Sequence, residues 1–297
     1  MFDNILGNNK IKELLINSVK NNKTSHSYLF LGTDGIGKKL IAKEFAKMIL
    51  CTDENKYCNK CKSCIEFDTN NNPDFKMIEP DGNSLKIEQI REFQSKVTEN
   101  PIISSRKVYI INDSDKMTSE AQNCLLKTLE EPPEFVTIIL IGSNENAFLS
   151  TIKSRCMILH FNKISNDEIK VFLEENYQTK INSKVMLDAF QGSIGKALQL
   201  QDKQEEYERI EQIIYSLENK DKIDILNMSE PIYKAKDEKF EMLDYMNIVF
   251  INLAKESNKY ANCINIVEDT KRRLQSNANY DMCIDNMLLN LWEQVNY

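Results

Sequence analysis

The 297-residue sequence is missing several features that would assign it to a class at once. No apolar run approaches the roughly 20 residues that span a bilayer, so no membrane role is expected. The first residues, Met1-Phe2-Asp3-Asn4, are acidic and lead straight into a helical pattern, unlike a secretory leader, and a cytoplasmic protein is expected. Histidine is reduced to two residues, His26 and His160, neither with a partner at metal-ligand spacing. His160 alternates within an apolar stretch and reads as a hydrogen-bonded core residue. Excess positive charge is also missing: the net charge is −7, distributed as +4 over residues 1–66, −3 over 67–164 and −8 over 165–297. A free-standing DNA-binding domain would carry a basic face and a high pI, so any nucleic-acid contact is expected to be shared with partner chains. Within the chain, backbone amides and basic residues near the helix starts of the sheet domain, such as Arg106 and Lys107, are the candidates for phosphate contacts. After Gly195 there is no glycine and Pro231 is the only proline. With so few breakers and apolar residues at helical spacing (Ile210, Ile213, Ile214, Leu217; Met246 to Leu253; Met287 to Trp292), that part reads as all-helical.

What is present centres on Gly32-Thr33-Asp34-Gly35-Ile36-Gly37-Lys38-Lys39. This nearly fits the phosphate-loop pattern G-x-x-x-x-G-K-[ST], and its surroundings are right: Tyr28 to Leu31 reads as a buried strand, and Lys38 to Leu50 has helical periodicity. In such loops, backbone N–H groups and a helix N-terminus cradle phosphates, the lysine reaches the β/γ-phosphates, and a Ser or Thr hydroxyl holds Mg²⁺. Gly32, Gly37 and Lys38 are therefore the candidate nucleotide-binding residues. Lys39, however, stands where the hydroxyl belongs, and an ammonium group has no lone pair for a cation. The strand Lys107 to Asp113 adds a second defect. ATPases of this kind end that strand in an acidic pair for Mg²⁺ and the attacking water; here the pair is Asn112-Asp113. The loop looks inherited from an ATPase, with ATP binding doubtful and hydrolysis not expected.

Further segments alternate strand and helix: an amphipathic helix over 10–20, a short strand over 74–79, a helix over 86–97, a helix over 119–131 closed by Pro132-Pro133, a buried strand over 136–142 and a fifth strand over 157–161. Such alternation predicts a parallel sheet covered on both faces. Four of the eight cysteines, Cys51, Cys58, Cys61 and Cys64, fall within fourteen residues. This spacing predicts a structural Zn²⁺ site, closed by four thiolates and leaving no position for a catalytic water. An iron–sulfur cluster is the competing reading, but the run lacks the C-x₂-C-x₂-C-x₃-C-P form. The scattered Cys124, Cys156, Cys263 and Cys283 read as small buried hydrophobes.

Several of these segments together resemble the bacterial clamp-loader subunits of the AAA+ class: Phe2-x-x-Ile5-x-Gly7, His26-Ser-Tyr-Leu-Phe30, the four-cysteine insert, Val108-Tyr-Ile-Ile111, Asn123-Cys-Leu-Leu-Lys-Thr-Leu-Glu-Glu-Pro-Pro133 and Ser154-Arg155-Cys156. The likeness covers residues 1 to about 205 well and the helical remainder less so. It implies an α/β P-loop (AAA+) parallel-sheet domain over 1–164 carrying the zinc module at 51–64, a small helical lid domain over 165–205, and an all-helical, collar-type C-terminal domain over 206–297. In that family the motor subunits (gamma/tau) keep intact ATP motifs, while other members keep the fold with degraded ones. Lys39 and Asn112 match the latter, as does Lys196, the nearest basic residue where motors usually offer an arginine at the start of a lid helix. The resemblance further implies that Arg155 acts in trans as an arginine finger on the ATP of a neighbouring gamma-type subunit. The implied partners are gamma/tau-type ATPases and a delta subunit, with the sliding clamp reached indirectly and primed DNA held within the complex. Two alternatives stay open. Arg155 could simply cap a helix or pair with a carboxylate, and the chain could be an active AAA+ ATPase, with Lys38 sufficient for turnover and Mg²⁺ held by Asp113 and substrate phosphates.

Overall fold

The structure is a computed structural model describing every residue except Met1, Asp3, Asn4, Asn55 and Asn182. The acidic start read from Met1, Asp3 and Asn4 thus lies outside the described residues. The chain divides into two compact units, Met1–Glu168 with Gly192–Gly195, and Ile169–Gln191 with Lys196–Tyr297. No helix among the described residues is long and apolar enough to cross a membrane.

The first unit is built on a sheet of five strands: β1 (Ser27–Leu31), β2 (Phe75–Ile78), β3 (Lys107–Ile111), β4 (Val136–Gly142) and β5 (Met157–His160), in the order β2-β3-β4-β1-β5. Every pairing is parallel, and Leu29 of β1 lies level with Leu140 of β4 and Ile158 of β5. Side chains alternate between faces along a strand, so each central strand supplies two cores. Tyr28, Phe30, Val108, Ile110, Ile139 and Ile141 pack with Leu15 and Val19 of α1 (Asn9–Lys20) and with Ile41, Phe45 and Ile49 of α2 (Lys38–Leu50). Leu29, Leu31, Tyr109, Ile111, Ile138 and Leu140 face the other way. They pack with Ile90 and Phe93 of α4 (Ile87–Val97), Leu125 and Leu129 of α5 (Ser119–Glu130) and Ile152 of α6 (Ser150–Lys153). The intervening α3 (Lys62–Asp68) belongs to the cysteine insert. Burial on both faces explains why β1, β3 and β4 read as unbroken apolar runs.

β5 differs because it pairs only with β1 and forms an edge. Its last residue, His160, is 63% exposed, with Nδ1 3.8 Å from Glu145. The expectation of a core histidine is thereby corrected: apolar alternation is shared by central and edge strands, and only the edge leaves one face to solvent.

The second unit is helical. It comprises most of α7 (Asn166–Tyr177), α8 (Lys184–Ala189), most of α9 (Ile194–Leu200), α10 (Gln204–Ser216), α11 (Lys222–Met228), α12 (Glu230–Lys234), α13 (Lys239–Glu256), α14 (Ala261–Gln275) and α15 (Tyr280–Asn296). Its core joins Ile210, Ile213 and Ile214 of α10 to Met246, Val249 and Phe250 of α13, Val267 of α14 and Met287, Leu288 and Leu291 of α15. Pro231 sits in the first turn of α12, where a missing N–H breaks no helical bond. Within this core Glu211 is buried and accepts hydrogen bonds from Ser183 Oγ at 2.8 Å and from the Tyr245 hydroxyl.

Candidate functional site

The loop between β1 and α2 uses the conformational freedom of its glycines. Gly35 and Gly37 take φ of +73° and +93°, the left-handed region that side-chain-bearing residues avoid. At Gly35 space is limiting too: a Cβ there would come within 2.2 Å of Ser193 Oγ, and the Gly35 carbonyl accepts a 3.0 Å bond from the Gly195 amide. The segment 192–195 thus rests directly on the loop. Gly32, Gly37 and Lys38 are brought together as expected, but Lys38 turns inward. Its ammonium donates to the carbonyls of Gly32 at 2.5 Å and Thr33 at 2.8 Å and lies 3.6 Å from Asp34. The side chain is only 6% exposed, and burial pushes its pKa down, partly offset by the Asp34 carboxylate.

The neighbouring positions carry different chemistry from a metal site. Lys39, where a hydroxyl would hold Mg²⁺, forms a 2.6 Å ion pair with Glu79 just after β2, and this hydrogen bond holds the Glu79 carboxyl below its usual range. At the end of β3, the Asn112 backbone N–H donates to the Ile78 carbonyl at 2.9 Å. Asp113 adopts a left-handed conformation (φ +47°, ψ +42°), with its carboxylate 3.0 Å from Lys116 Nζ. The next acid, Asp115, was not singled out from sequence. Its Oδ2 accepts from the Ser143 amide (3.1 Å), the Ser143 hydroxyl (2.9 Å) and the Asn144 amide (3.0 Å), tying the end of β3 to the end of β4. Its proximity to the Asn112-Asp113 pair was the one signal available.

The cysteine insert converges. The Sγ atoms of Cys51, Cys58, Cys61 and Cys64 all lie within 4.8 Å of one another, with Cys51 3.6 Å from Cys58 and 4.0 Å from Cys61. Thiolates at about 2.3 Å from a tetrahedral ion would stand about 3.8 Å apart, so this donor set fits Zn²⁺. Burial pushes the Cys61 thiol up, but hydrogen bonding from Thr52 and the Cys64 backbone outweighs it and brings the group down to about 6. The insert is also braced. Ser104 Oγ bonds the Leu50 carbonyl (2.8 Å) beside Cys51 and Ser63 Oγ (2.9 Å) beside Cys64. The buried Asp74 carboxylate in turn accepts the amides of Ile102 (2.6 Å), Ile103 (2.8 Å) and Ser104 (2.7 Å). On the other side Lys47 of α2 pairs with Asp68 at 2.7 Å, and its ammonium lies 5.2 Å from the Tyr57 ring centroid.

Arg155 follows α6. Its Nη2 lies 2.6 Å from Glu130 Oε1, while Nη1 donates to the Thr151 carbonyl (3.0 Å) and Ser154 Oγ (3.3 Å). The side chain is 32% exposed. The contacts of the simpler alternative, a carboxylate and a helix-end carbonyl, are therefore both present. Lys196 donates to Gln191 Oε1 at 2.8 Å. Of the two candidates for phosphate contacts, Lys107 needs correction, because it is buried and 3.6 Å from Glu99, whereas Arg106 is half-buried, with Nη1 enclosed and without a hydrogen-bond partner. Lys107 is the first residue of β3, and its ammonium lies against Glu99, just after α4.

Comparison with known proteins adds to this geometry. The family model described as DNA polymerase III, delta subunit, matches residues 7–165. The DNA polymerase III subunit delta' of Bacillus subtilis is 27% identical over 96% of this chain and 96% of its own length. The subunit tau/gamma of Haemophilus influenzae is 35% identical over 68% of this chain, which spans only 30% of that relative's length. Among solved structures, a gamma subunit-related protein of Thermotoga maritima aligns over 95% of this chain and 99% of its own, with 18% identity and a TM-score of 0.47. The family model alone takes in more than half of the sequence, and the chain belongs to the DNA polymerase III delta-subunit family.

Proposed function

We propose that this chain is a non-hydrolysing, stator-like subunit of the delta-prime type in a DNA polymerase III clamp loader, and that it supplies Arg155 in trans to the ATP of a neighbouring gamma-type subunit. The observation that carries the first part is the ion pair of Lys39 with Glu79 at the position where Mg²⁺ would be held. A cation already stands there, and the phosphate lysine, Lys38, has its donors directed at its own loop carbonyls. Binding MgATP would have to displace both, with Asn112 offering a neutral amide in place of a metal-ordering carboxylate. Likeness to the delta' of Bacillus subtilis over nearly the whole chain supports the same assignment. Arg155 contributes by the usual chemistry of a fixed guanidinium, whose planar fork matches a phosphate and stabilises charge developing on it.

The partners on this reading are gamma/tau-type ATPases and a delta subunit, with the sliding clamp reached indirectly and primed DNA held by the assembly. Residues 165–205 serve as a lid and 206–297 as the collar-type oligomerisation domain. Cys51, Cys58, Cys61 and Cys64 hold a structural Zn²⁺, which when bound cross-links the insert and supplies no catalytic water.

The test is MgATP hydrolysis by the purified chain, alone and mixed with a gamma-type subunit. No turnover alone, with turnover in the mixture that falls on Arg155→Ala, is the expected result. The second reading, an active AAA+ ATPase, is favoured by the retained loop glycines and Lys38 and by 35% identity to the tau/gamma of Haemophilus influenzae. Steady hydrolysis by the chain alone that is abolished by Lys38→Ala would establish it instead.

A further inference from the structure

Glu130 is the last residue of α5, and Glu131 (φ −128°) and Pro132 end the helix behind it. Carbonyl groups point out of a helix C-terminus, so a carboxylate there opposes the local field and weakens its own helix. What Glu130 does have is Arg155: Oε1 lies 2.6 Å from Nη2, while the Thr151 carbonyl and Ser154 Oγ take the other terminal nitrogen, Nη1. A guanidinium is a planar fork of five donors, and contacts on both terminal nitrogens fix its plane as well as its position. Three of those donors are engaged by the contacts just given, so two are left to meet an anion. The pair is also accessible, with Arg155 32% and Glu130 47% exposed.

We infer that Glu130 is a positioning residue for Arg155, holding the guanidinium in one orientation at the surface so that it meets the phosphates of a neighbouring subunit's nucleotide already aligned. This rests on the reading of Arg155 as a trans-acting arginine and deepens it. Oriented in advance, the arginine loses less rotamer freedom on engaging the phosphates. A positioning role affects the rate once nucleotide is bound and leaves nucleotide affinity with the neighbouring subunit.

The experiment uses the full chain reconstituted with a gamma-type ATPase, with ATP as the probe, and compares wild type, Glu130→Ala, Glu130→Gln, Arg155→Ala and the Glu130→Ala/Arg155→Ala double variant. Glu130→Ala should lower kcat by about two- to fivefold, the range an accessible ion pair can supply, with KM unchanged. Glu130→Gln keeps the oxygen and the shape and loses the charge, so its kcat should fall between the two. The double variant should match Arg155→Ala alone, since Glu130 acts only through the arginine. Wild-type or raised kcat in Glu130→Ala, or a double variant slower than Arg155→Ala, would overturn the positioning role while Arg155 itself stood. Full activity in Arg155→Ala would remove the trans-arginine reading and this inference with it.

Discussion

Replacing Asp74 by alanine should destabilise the sheet unit through the loop that braces the cysteine insert. The buried carboxylate accepts three backbone amides at 2.6, 2.8 and 2.7 Å from Ile102, Ile103 and Ser104. Bonds to a charged acceptor contribute about 1.5–3 kcal/mol each, but they are not additive and are offset by the desolvation of the charge. With the acceptor gone, the Ile102 and Ile103 amides can turn to water, while that of the buried Ser104 cannot, and leaving it unmet costs about 1–3 kcal/mol. Adding about 0.5–1.5 kcal/mol for each of the other two gives a total of roughly 2–6 kcal/mol. At about 2–4 °C per kcal/mol for a unit of this size, the midpoint of thermal unfolding should fall by about 4–24 °C. Asp74→Asn should recover less than half of this, because its NH₂ group confronts donors on one side. Ser104 also bonds the backbone beside Cys51 and the side chain of Ser63 beside Cys64, so the alanine variant should release zinc to a chelator faster than wild type. Urea and thermal unfolding followed by circular dichroism supply the assay. A loss below about 0.5 kcal/mol, within the range of ordinary surface substitutions, would refute the assignment of these bonds as a structural brace.

Two further predictions concern the metal and the loop. Metal analysis of protein purified without chelator should find one zinc per chain, and Cys58→Ser should lower zinc retention while leaving the helical unit's unfolding unchanged; protein lacking zinc would overturn the four-thiolate site. Gly35→Ala should destabilise the sheet unit by about 1–3 kcal/mol, since it places a side chain in left-handed backbone and against Ser193 Oγ; a variant as stable as wild type in urea would mean that the 192–195 segment does not rest on the loop.

Much of the fold was legible because it depends on local chemistry. Largely apolar runs at 28–31, 108–111 and 136–141 read as strands buried on both faces, and the alternation of Leu29 and Phe30 between two cores is the physical basis of that reading. The glycine loop and the four cysteines were legible because each motif is a fixed spacing of particular residue types. The errors share one cause. His160 was read as core and is exposed on an edge strand, whereas Lys107 was read as available and is buried against Glu99. A residue's burial depends on which strands flank its own, and sequence order does not give that.

The sequence alone determined the five strands of the sheet, the glycine-rich turn between β1 and α2, the close spacing of the four cysteines and the second lysine that follows Lys38. Each follows from residue type and from neighbours a few positions away. Tertiary structure decided the strand order, the pairing of Lys39 with Glu79 across 40 residues, the three amides gathered by Asp74 and the partnership of Arg155 with Glu130. These join groups distant in sequence, and a charge chooses its partner by distance in space, which only the packed sheet and its covering helices define.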